Sequence, residues 1–471
     1  MTGLVEAPSR SRGGRSWSPF RAFSPAPLVA SEGVAALLGF GVMVHLARRL
    51  GPASFADFEY GSAVAAWCLV VVRGGFEAIA CREAARRPAL VRPLTDVLLG
   101  LRVASAAVGL LAVAAWAWSI GPGRGWVVAV AGLVLVPSAL AADVGLRASG
   151  RFAGLALAQV VRASGLAAGA AGLVAGPGDA AAAAACVVGA EVGSSLVLLG
   201  FHAADWGRPR PRFRRRAWRV LGRRGAIAGA TRFGRVSLYA ADVVALGAVA
   251  GSTLGPYAAA RRVAFALLAL GLVVPTAAAP RIARAWAAGA DEARATIGRT
   301  LAGLAAVALP ATVGLMATAD RWMPRLFGPG FEGGGPWLAL VAARLPFVLA
   351  SNVQQAALIA CRREGRAFRL VAGMAASALI LVPALAASHG PWGVGLAMLG
   401  IEAAGAVAGR GALRKLGLAP AWHHGVGPAV AGCVGLAAAC WAGRGWPLGG
   451  VVVAGMIVYG ATWRVAGGLA R

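Results

Sequence analysis

The amino-acid sequence predicts an all-α polytopic membrane protein with about fourteen transmembrane helices. Hydrophobic residues make up 59% of the 471 positions and charged residues only 14%. This balance is too apolar for a soluble domain, whose surface alone needs more charge. Apolar stretches also recur along the whole chain at about 20 residues each, the length that crosses a bilayer as a helix.

The predicted spans leave only short connections, so no separate soluble domain fits between them. We expect the spans at residues 27–47, 58–77, 97–120, 125–146, 152–176, 179–201, 226–250, 256–280, 296–319, 334–360, 370–388, 391–409, 425–443 and 447–463.

The net charge of +28 is concentrated on alternate connections. Cationic loops resist translocation, so the basic side is expected to face the cytoplasm, with both termini there and the chain in the cytoplasmic membrane. Residues 1–26 are expected to form a disordered cytoplasmic tail. The basic loop 202–225 is interpreted as lying against anionic headgroups and not as a nucleic-acid site. The Arg residues of the outer connections are Arg48, Arg49, Arg124, Arg321, Arg325 and Arg444.

Short matches between the two halves of the chain indicate an internal duplication. PSALAADV at 137–144 parallels PFVLASNV at 346–353, and GAE at 189–191 parallels GIE at 400–402. The predicted organisation is therefore two pseudo-symmetric six-helix lobes and a final helix pair. Parallel repeats of this kind are typical of transporters that work by alternating access. The boundaries are 27–201 for the first lobe, 226–411 for the second and 412–471 for the last two helices.

Arginines within the predicted spans suggest a cationic cavity, because an unpaired Arg in the bilayer centre costs about 2.5–3.5 kcal/mol on insertion scales. In the seventh span, Arg232, Arg235, Tyr239 and Asp242 recur at spacings that place them on about a quarter of the helix circumference. The remaining substrate-binding candidates are Gln159 with Arg162 one turn away, Arg261, Arg262, Arg344, Asn352 and Gln355.

An alternative interpretation is that these arginines pair with intramembrane carboxylates and simply hold helices together. Asp242, Glu191 and Glu402 are the candidates for such pairing. The same three carboxylates, with the weaker candidate Glu32, could instead bind the proton or sodium ion whose gradient drives transport. The sequence leaves both roles open for Glu191 and Glu402, which occupy equivalent mid-span positions in the two repeats.

Four further charged positions are expected to have structural roles. Arg73 and Arg102 lie near the predicted cytoplasmic surface, where snorkelling to headgroups explains them. Asp143 and Arg147 are four residues apart, a spacing at which they pair on one helix face.

Residue types needed for catalysis or metal binding do not form a recognisable pattern. The chain has no phosphate-binding GxxxxGK[ST] motif, and its only lysine is Lys415. The five histidines form no metal-ligand spacing, and the outer loop around 320–333 is short for a multispanning glycosyltransferase or polymerase. We therefore expect no catalytic residues, no metal and no cofactor.

The sequence also resembles a known family, the Wzx-like polysaccharide flippases of the multidrug/oligosaccharidyl-lipid/polysaccharide (MOP) exporter superfamily. The resemblance covers nearly the whole chain. It rests on LARRLGPASFADFEY at 46–60, YAADVVALGAVAGSTLGPYAAARRVAFALL at 239–268 and RLFGPGFEGGGPWLALV at 325–341.

The resemblance implies a MOP/MATE-like helical fold and a flippase that moves a polyprenyl-diphosphate-linked oligosaccharide from the cytoplasmic to the outer leaflet. It further implies contacts with membrane lipids and with the polysaccharide polymerase and glycosyltransferases of the same pathway. The same superfamily contains cation-coupled multidrug exporters and the flippase for the lipid-linked peptidoglycan precursor, which remain alternatives.

Overall fold

The computed structural model describes the backbone of residues 26–420 and 423–469 and most of their side chains. Within these residues the chain forms 17 α-helices and two short 3-10 turns, with no β-strand. Residues 1–25 of the predicted tail 1–26 lie outside the described part of the chain. The expected all-α fold is confirmed.

The chain divides into two compact units, Met1–Ala240 and Ala241–Arg471, called unit 1 and unit 2 below. The helices of unit 1 are α1 (Ala26–Arg73), α2 (Phe76–Arg86), α3 (Val91–Ile120), α4 (Pro122–Gly132), α5 (Leu135–Leu140), α6 (Val144–Ala148), α7 (Phe152–Leu173), α8 (Ala180–Trp206) and most of α9 (Arg215–Val249).

Unit 2 begins within the last turns of α9. Its further helices are α10 (Gly251–Ala288), α11 (Ala290–Ala317), α12 (Ala319–Phe327), α13 (Gly335–Ala343), α14 (Leu345–Ala360), α15 (Glu364–Arg414), α16 (His423–Ala442) and α17 (Leu448–Leu469).

Glycine–proline pairs divide the two longest helices. In α1 the backbone leaves the helical conformation at Gly51, with φ of 69°, and Pro52 follows. In α15 the break is at Gly390, with φ of 55°, before Pro391. Positive φ is nearly free of cost only for glycine, and proline cannot donate the backbone hydrogen bond that would continue the helix. Each break separates two predicted spans.

All fourteen predicted spans fall on mostly helical backbone. By length and composition, eight helices of the described part could cross a membrane, and two shorter apolar helices follow near the C-terminus. The two broken helices each count once in that number, and the arginine-rich α9 is not among them. The number of fourteen crossings therefore stays a prediction.

The outward surface is apolar, as expected of a protein whose solvent is lipid. Trp118 is 90% exposed, and Leu111, Val108 and Ile380 are also largely exposed. Contiguous exposed apolar surface on this scale is unstable in water but costs nothing in hydrocarbon. The chain is a multi-pass membrane protein.

Small residues allow close helix packing where lipid-like side chains would give no hydrophobic gain. Along the α7–α8 contact, a Cβ built on Gly169 would lie 3.1 Å from the Sγ atom of Cys186.

The predicted basic loop 202–225 is shorter than expected, because α8 continues to Trp206 and α9 begins at Arg215.

The turn between α1 and α2 depends on glycine at position 75. Gly75 has φ of 52°, and a Cβ built on it would collide with the backbone of Gly229 in α9. Substitution Gly75→Ala should lower thermal stability in detergent, because the left-handed backbone alone costs about 1–2 kcal/mol for an L-residue. Fluorescence-monitored melting measures the effect.

The control for this prediction is Gly222→Ala, also in α9, where a Cβ would meet nothing within 4 Å. Alanine favours helix over glycine by about 0.8–1.0 kcal/mol, so this variant should melt at the same or a higher temperature. Equal melting of the two variants would contradict the proposed close approach.

Candidate functional site

Unit 1 contains a polar cavity of about 410 Å³. Side chains of α1, α6, α7, α8 and α9 and of the α5–α6 connection line it. The charged or polar lining residues are Arg73, Asp143, Arg147, Gln159, Arg162, Glu191, Ser194 and Arg232.

The cavity lies where the fourth predicted span loses its helical backbone. Ala141 adopts an extended conformation (φ −64°, ψ 110°) between α5 and α6. Two carbonyl groups freed by this break find donors on neighbouring helices. The Ser195 hydroxyl donates to the carbonyl of Pro137 at 2.8 Å, and Arg102 Nη1 donates to the carbonyl of Ala141 at 2.5 Å. Such replacement bonds make an interrupted helix stable inside a membrane.

Arg102 is the centre of a continuous chain of ion pairs. Its Nη2 atom lies 2.6 Å from Glu77 Oε1 and 3.4 Å from Asp143 Oδ1. Asp143 Oδ2 is 2.8 Å from Arg147 Nε, and Glu77 Oε2 is 3.5 Å from Arg232 Nη1. The chain of contacts joins α2, α3, α6 and α9, and it confirms the predicted pairing of Asp143 with Arg147.

The expectation that Arg102 and Arg73 snorkel to headgroups is wrong. The Arg102 side chain is only 2% exposed, and two carboxylates and a carbonyl group accept from its two terminal nitrogens in the interior. Arg73 Nη2 lies 2.9 Å from Glu191 Oε1, which also accepts a hydrogen bond from the Ser138 hydroxyl at 3.0 Å. An arginine that is predicted to lie near the membrane surface therefore pairs inside the protein when an internal carboxylate is within reach.

Positive charge exceeds negative charge along the cavity wall. Four arginines line it against two carboxylates, Asp143 and Glu191. Arg162 is exposed and makes its described hydrogen bond to the neutral amide of Gln159, at 3.1 Å, as its one-turn spacing predicts. The cavity can therefore bind an anion through guanidinium groups, which match phosphate oxygens bidentately.

A second charge cluster lies in unit 2 around Asp242, which is completely buried. Asp242 Oδ2 accepts from Arg344 Nη1 at 3.4 Å and from the Tyr257 hydroxyl at 3.1 Å. Its other oxygen accepts from the backbone N–H of Val243 at 2.9 Å and lies 3.7 Å from Arg261 Nε. The cluster joins α9, α10 and the junction of α13 and α14.

The predicted polar stripe of α9 is thus divided between the two units. Arg232 faces the cavity of unit 1, whereas Asp242 is the centre of the buried cluster in unit 2. Arg235 and Tyr239, between them, are half-buried. The stripe residues do not share one wet environment, because Asp242 is fully enclosed.

The other sequence-predicted site residues lie in unit 2, with the exception of Glu32. Glu402 is buried and close enough to Arg344 to interact with it electrostatically. Asn352 and Gln355 are buried on α14, and Arg262 is half-buried beside Arg261 on α10. The side chain of Glu32 lies outside the described part of the chain.

The two predicted repeats share an interrupted helix. The chain is interrupted between α4 and α5, three residues before Pro137, and at Arg344 between α13 and α14, two residues before Pro346. These prolines are matched in the sequence alignment of the two halves. The repeats differ further along, because unit 1 unwinds again before Asp143 while α14 continues as a helix past Asn352.

Glu77 is the site residue that the sequence analysis missed. It follows Arg73 by four residues, at the last position of the second predicted span, and this proximity to a basic position was the available signal. Its pairing with Arg102 and Arg232 is tertiary and spans 25 and 155 residues. No group of three or more His, Cys, Asp or Glu side chains that could hold a metal occurs among the described residues.

The structure is similar to several solved membrane proteins. The chain superposes on the lipid II flippase MurJ in an inward closed conformation with a TM-score of 0.72 and 14% identity, covering 94% of this chain and 98% of that one. An inward-facing multidrug resistance MATE transporter of the MOP superfamily superposes with a TM-score of 0.59 and 13% identity. The match covers 82% of this chain and 95% of that one.

A MOP superfamily transporter from Pyrococcus furiosus, described as having a binding pocket of reverse polarity, gives a TM-score of 0.57 and 14% identity. It covers 85% of this chain and 96% of that one. Among curated proteins no sequence matches significantly. The chain therefore has a fold similar to those of MurJ and the MATE transporters.

Residues 26–286 match the sequence profile of the family described as polysaccharide biosynthesis protein. The match covers more than half of the chain, so the chain belongs to this family. Its matched region includes the whole ion-pair chain and cavity of unit 1.

Arg102 should be essential for stability. Substitution Arg102→Ala leaves Glu77 and Asp143 without their shared buried partner, which typically costs about 3–5 kcal/mol. We expect a large fall in melting temperature of the purified protein and lower membrane yield. Arg86→Ala, an exposed position at the end of α2, is the control and should melt like the wild type. Similar melting of both variants would refute the central role of Arg102.

Asp242 and Arg344 should be energetically coupled. Arg344→Met removes one buried cation from Asp242, and Asp242→Asn removes the anion that the cation neutralises. The double variant should be more stable than the sum of the single effects predicts, with a coupling on the order of 0.5–3 kcal/mol. Thermal unfolding of the four proteins gives the cycle, and additive effects would mean that the two groups do not interact.

Proposed function

We propose that this chain is a flippase that translocates a polyprenyl-diphosphate-linked oligosaccharide from the cytoplasmic to the outer leaflet, for cell-surface polysaccharide biosynthesis. It works by alternating access and without covalent chemistry. Membership of the polysaccharide biosynthesis protein family supports the pathway. The cationic cavity of unit 1 is the single observation that carries the cargo assignment.

The chemistry of the cargo matches the cavity. A diphosphate cannot enter hydrocarbon unaided, whereas a polyprenyl tail can stay in it, so the carrier must supply positive charge only to the head. Arg162 and Arg232 are the exposed arginines of the cavity wall that do not hold the buried carboxylate Asp143. We assign to these two residues the main contacts with the diphosphate. Arg235 and Tyr239, on the same helix as Arg232, are further candidates.

The buried carboxylates are better explained as partners of arginines than as ion-coupling groups. Asp242 holds Arg344 and Arg261, and Glu191 holds Arg73. A carboxylate that also accepts a transported proton or sodium ion would have to release these arginines. Glu402 and Glu32 stay the candidates for coupling to a proton or sodium gradient, and in Glu402 the bound ion would compete with the electrostatic interaction with Arg344.

The distribution of arginines along the chain supports an orientation with both termini in the cytoplasm of a bacterium. This orientation presents the basic residues between α8 and α9 to the leaflet in which lipid-linked sugars are made. The polysaccharide polymerase and glycosyltransferases of the pathway are the protein partners we propose. The chain itself is proposed to have no enzymatic activity and no cofactor.

A second candidate is a flippase for the lipid-linked peptidoglycan precursor. The similarity to the lipid II flippase MurJ over 94% of this chain favours it, and both cargos share a diphosphate. A multidrug exporter of the MOP superfamily is a weaker candidate, because a cationic drug would be repelled by a cavity with more arginines than carboxylates.

Translocation of a fluorescent undecaprenyl-diphosphate oligosaccharide in proteoliposomes tests the proposal. The double variant Arg162→Gln, Arg232→Gln should reduce the rate about tenfold or more, because a hydrogen bond to a charged group contributes about 1.5–3 kcal/mol and 1.4 kcal/mol is a factor of ten. Folding should be retained, since Glu77 keeps its stronger contact with Arg102.

The matched control is Arg86→Gln, Arg87→Gln, which removes two exposed charges outside the cavity and should transport normally. A wild type that moves a lipid II analogue but not the oligosaccharide would establish the second candidate. A wild type that exports only a cationic dye would establish the third. An unchanged rate in the cavity variant would disprove the role of Arg162 and Arg232.

A further inference from the structure

Unit 2 contains an apolar groove, separate from its buried charge cluster, with a volume of about 570 Å³. One wall is a single face of α11, and the others are the first half of α14, the end of α15 and Pro420. Neither the sequence motifs nor the proposed transport cycle uses this groove.

Small side chains leave a depression along one face of α11. Ala295, Gly298, Ala302 and Ala305 recur at spacings of three or four and line the groove along its length. From residue 294 to residue 309 the groove follows about 22 Å of helix at 1.5 Å per residue. One leaflet of hydrocarbon is about 15 Å deep, so the groove can hold an acyl chain together with the glycerol region above it.

Positive charge is confined to one end of the groove. Arg294 and Arg299 lie in the first turns of α11, and Arg410 lies in the last turns of α15. These two helix ends are neighbours, since a Cβ built on Gly298 would be 3.0 Å from the Cβ of Pro420, six residues after the end of α15. The other end of the groove is lined by apolar residues, including Leu309.

The carboxylates near the basic end hold Arg294 and Arg299 only weakly. Arg294 pairs with Asp291, and Arg299 Nη2 lies 3.1 Å from Glu292 Oε1. Both pairs are well exposed, and exposed ion pairs of this kind contribute about 0–1 kcal/mol. A phosphate group can therefore replace either carboxylate at little cost.

A buried amide also lines the groove. Gln354 on α14 is 5% exposed, and its Oε1 atom has no hydrogen-bond partner among the described residues. It packs against Gly409, where any side chain would collide with the amide oxygen. An unsatisfied buried acceptor costs about 1–3 kcal/mol, which a hydroxyl donor in the groove would remove.

The groove opens towards the apolar outer surface. Phe347 and Val407 flank it and are partly to largely exposed, Val407 to 71%. A molecule that is already in the bilayer can therefore enter sideways.

We propose that this groove is a binding site for one resident anionic phospholipid. The phosphate lies among Arg294, Arg299 and Arg410, an acyl chain fills the hollow face of α11, and a headgroup hydroxyl donates to Gln354. Phosphatidylglycerol combines the negative charge with the hydroxyl groups. The site is independent of the proposed flippase cargo, whose candidate diphosphate site is in unit 1.

Native mass spectrometry of the full-length, delipidated protein with added phosphatidylglycerol or phosphatidylcholine tests the site. The wild type should retain one phosphatidylglycerol about tenfold or more tightly than phosphatidylcholine, which has the same phosphate but adds a choline cation that the arginines repel and lacks the hydroxyl that donates to Gln354. The variant Arg299→Gln, Arg410→Gln should lose this preference. Ala305→Phe, which fills the groove, should lose the bound lipid altogether.

Val307→Phe is the matched control, because Val307 is on the same helix but 69% exposed and outside the groove. It should retain the lipid and melt like Ala305→Phe if both variants fold. Equal retention in Ala305→Phe and the wild type, or equal affinity for both phospholipids, would overturn the proposal. Displacement by an equimolar polyprenyl diphosphate would also overturn it, whatever the transport assay shows.

Discussion

A guanidinium inside a membrane protein must find all its acceptors within the protein, and Arg102 shows how much structure follows from that constraint. Its partners are a carbonyl group at the break after α5, a carboxylate on α2 and the carboxylate of Asp143. The break would leave backbone acceptors unsatisfied without Arg102, and Arg102 would be too costly to bury without the carboxylates. The hydrogen bond from Arg102 to the Ala141 carbonyl and the two ion pairs of Arg102 together offset the cost of the helix break and of the buried charge beside the cavity of unit 1.

Unit 2 also neutralises a buried charge with two opposite charges, but there the central group is a carboxylate. In unit 1 one arginine is shared by two carboxylates, whereas in unit 2 the carboxylate Asp242 is shared by Arg344 and Arg261. The cluster in unit 2 is enclosed, and Arg344 and Arg261 both pair with its central carboxylate. In unit 1, by contrast, the polar cavity wall retains Arg162, whose described partner is a neutral side chain. This difference is why we assign the anionic cargo to unit 1.

Hydropathy and local spacing predicted the helices and the pairs within one helix, because those depend on neighbouring residues. The separation of the two spans within α1 and within α15, the Asp143–Arg147 pair and the neighbouring Gln159 and Arg162 are of this kind. The roles of Arg73 and Arg102 were not predictable, since their partners are 118 and 25 to 41 residues away and meet only through tertiary packing. The division of the α9 stripe between two environments has the same cause: helical periodicity gives a face but not the neighbours along its length.

The positions of the partners of Arg102 along the chain also affect how the protein is made. Glu77 precedes Arg102 by 25 residues, and Asp143 follows it by 41. During synthesis, α3 therefore enters the bilayer with one carboxylate already present and the second still to be translated. The pairing of Arg102 with Glu77 is therefore available as soon as α3 has been made, whereas its pairing with Asp143 has to wait for the fourth span.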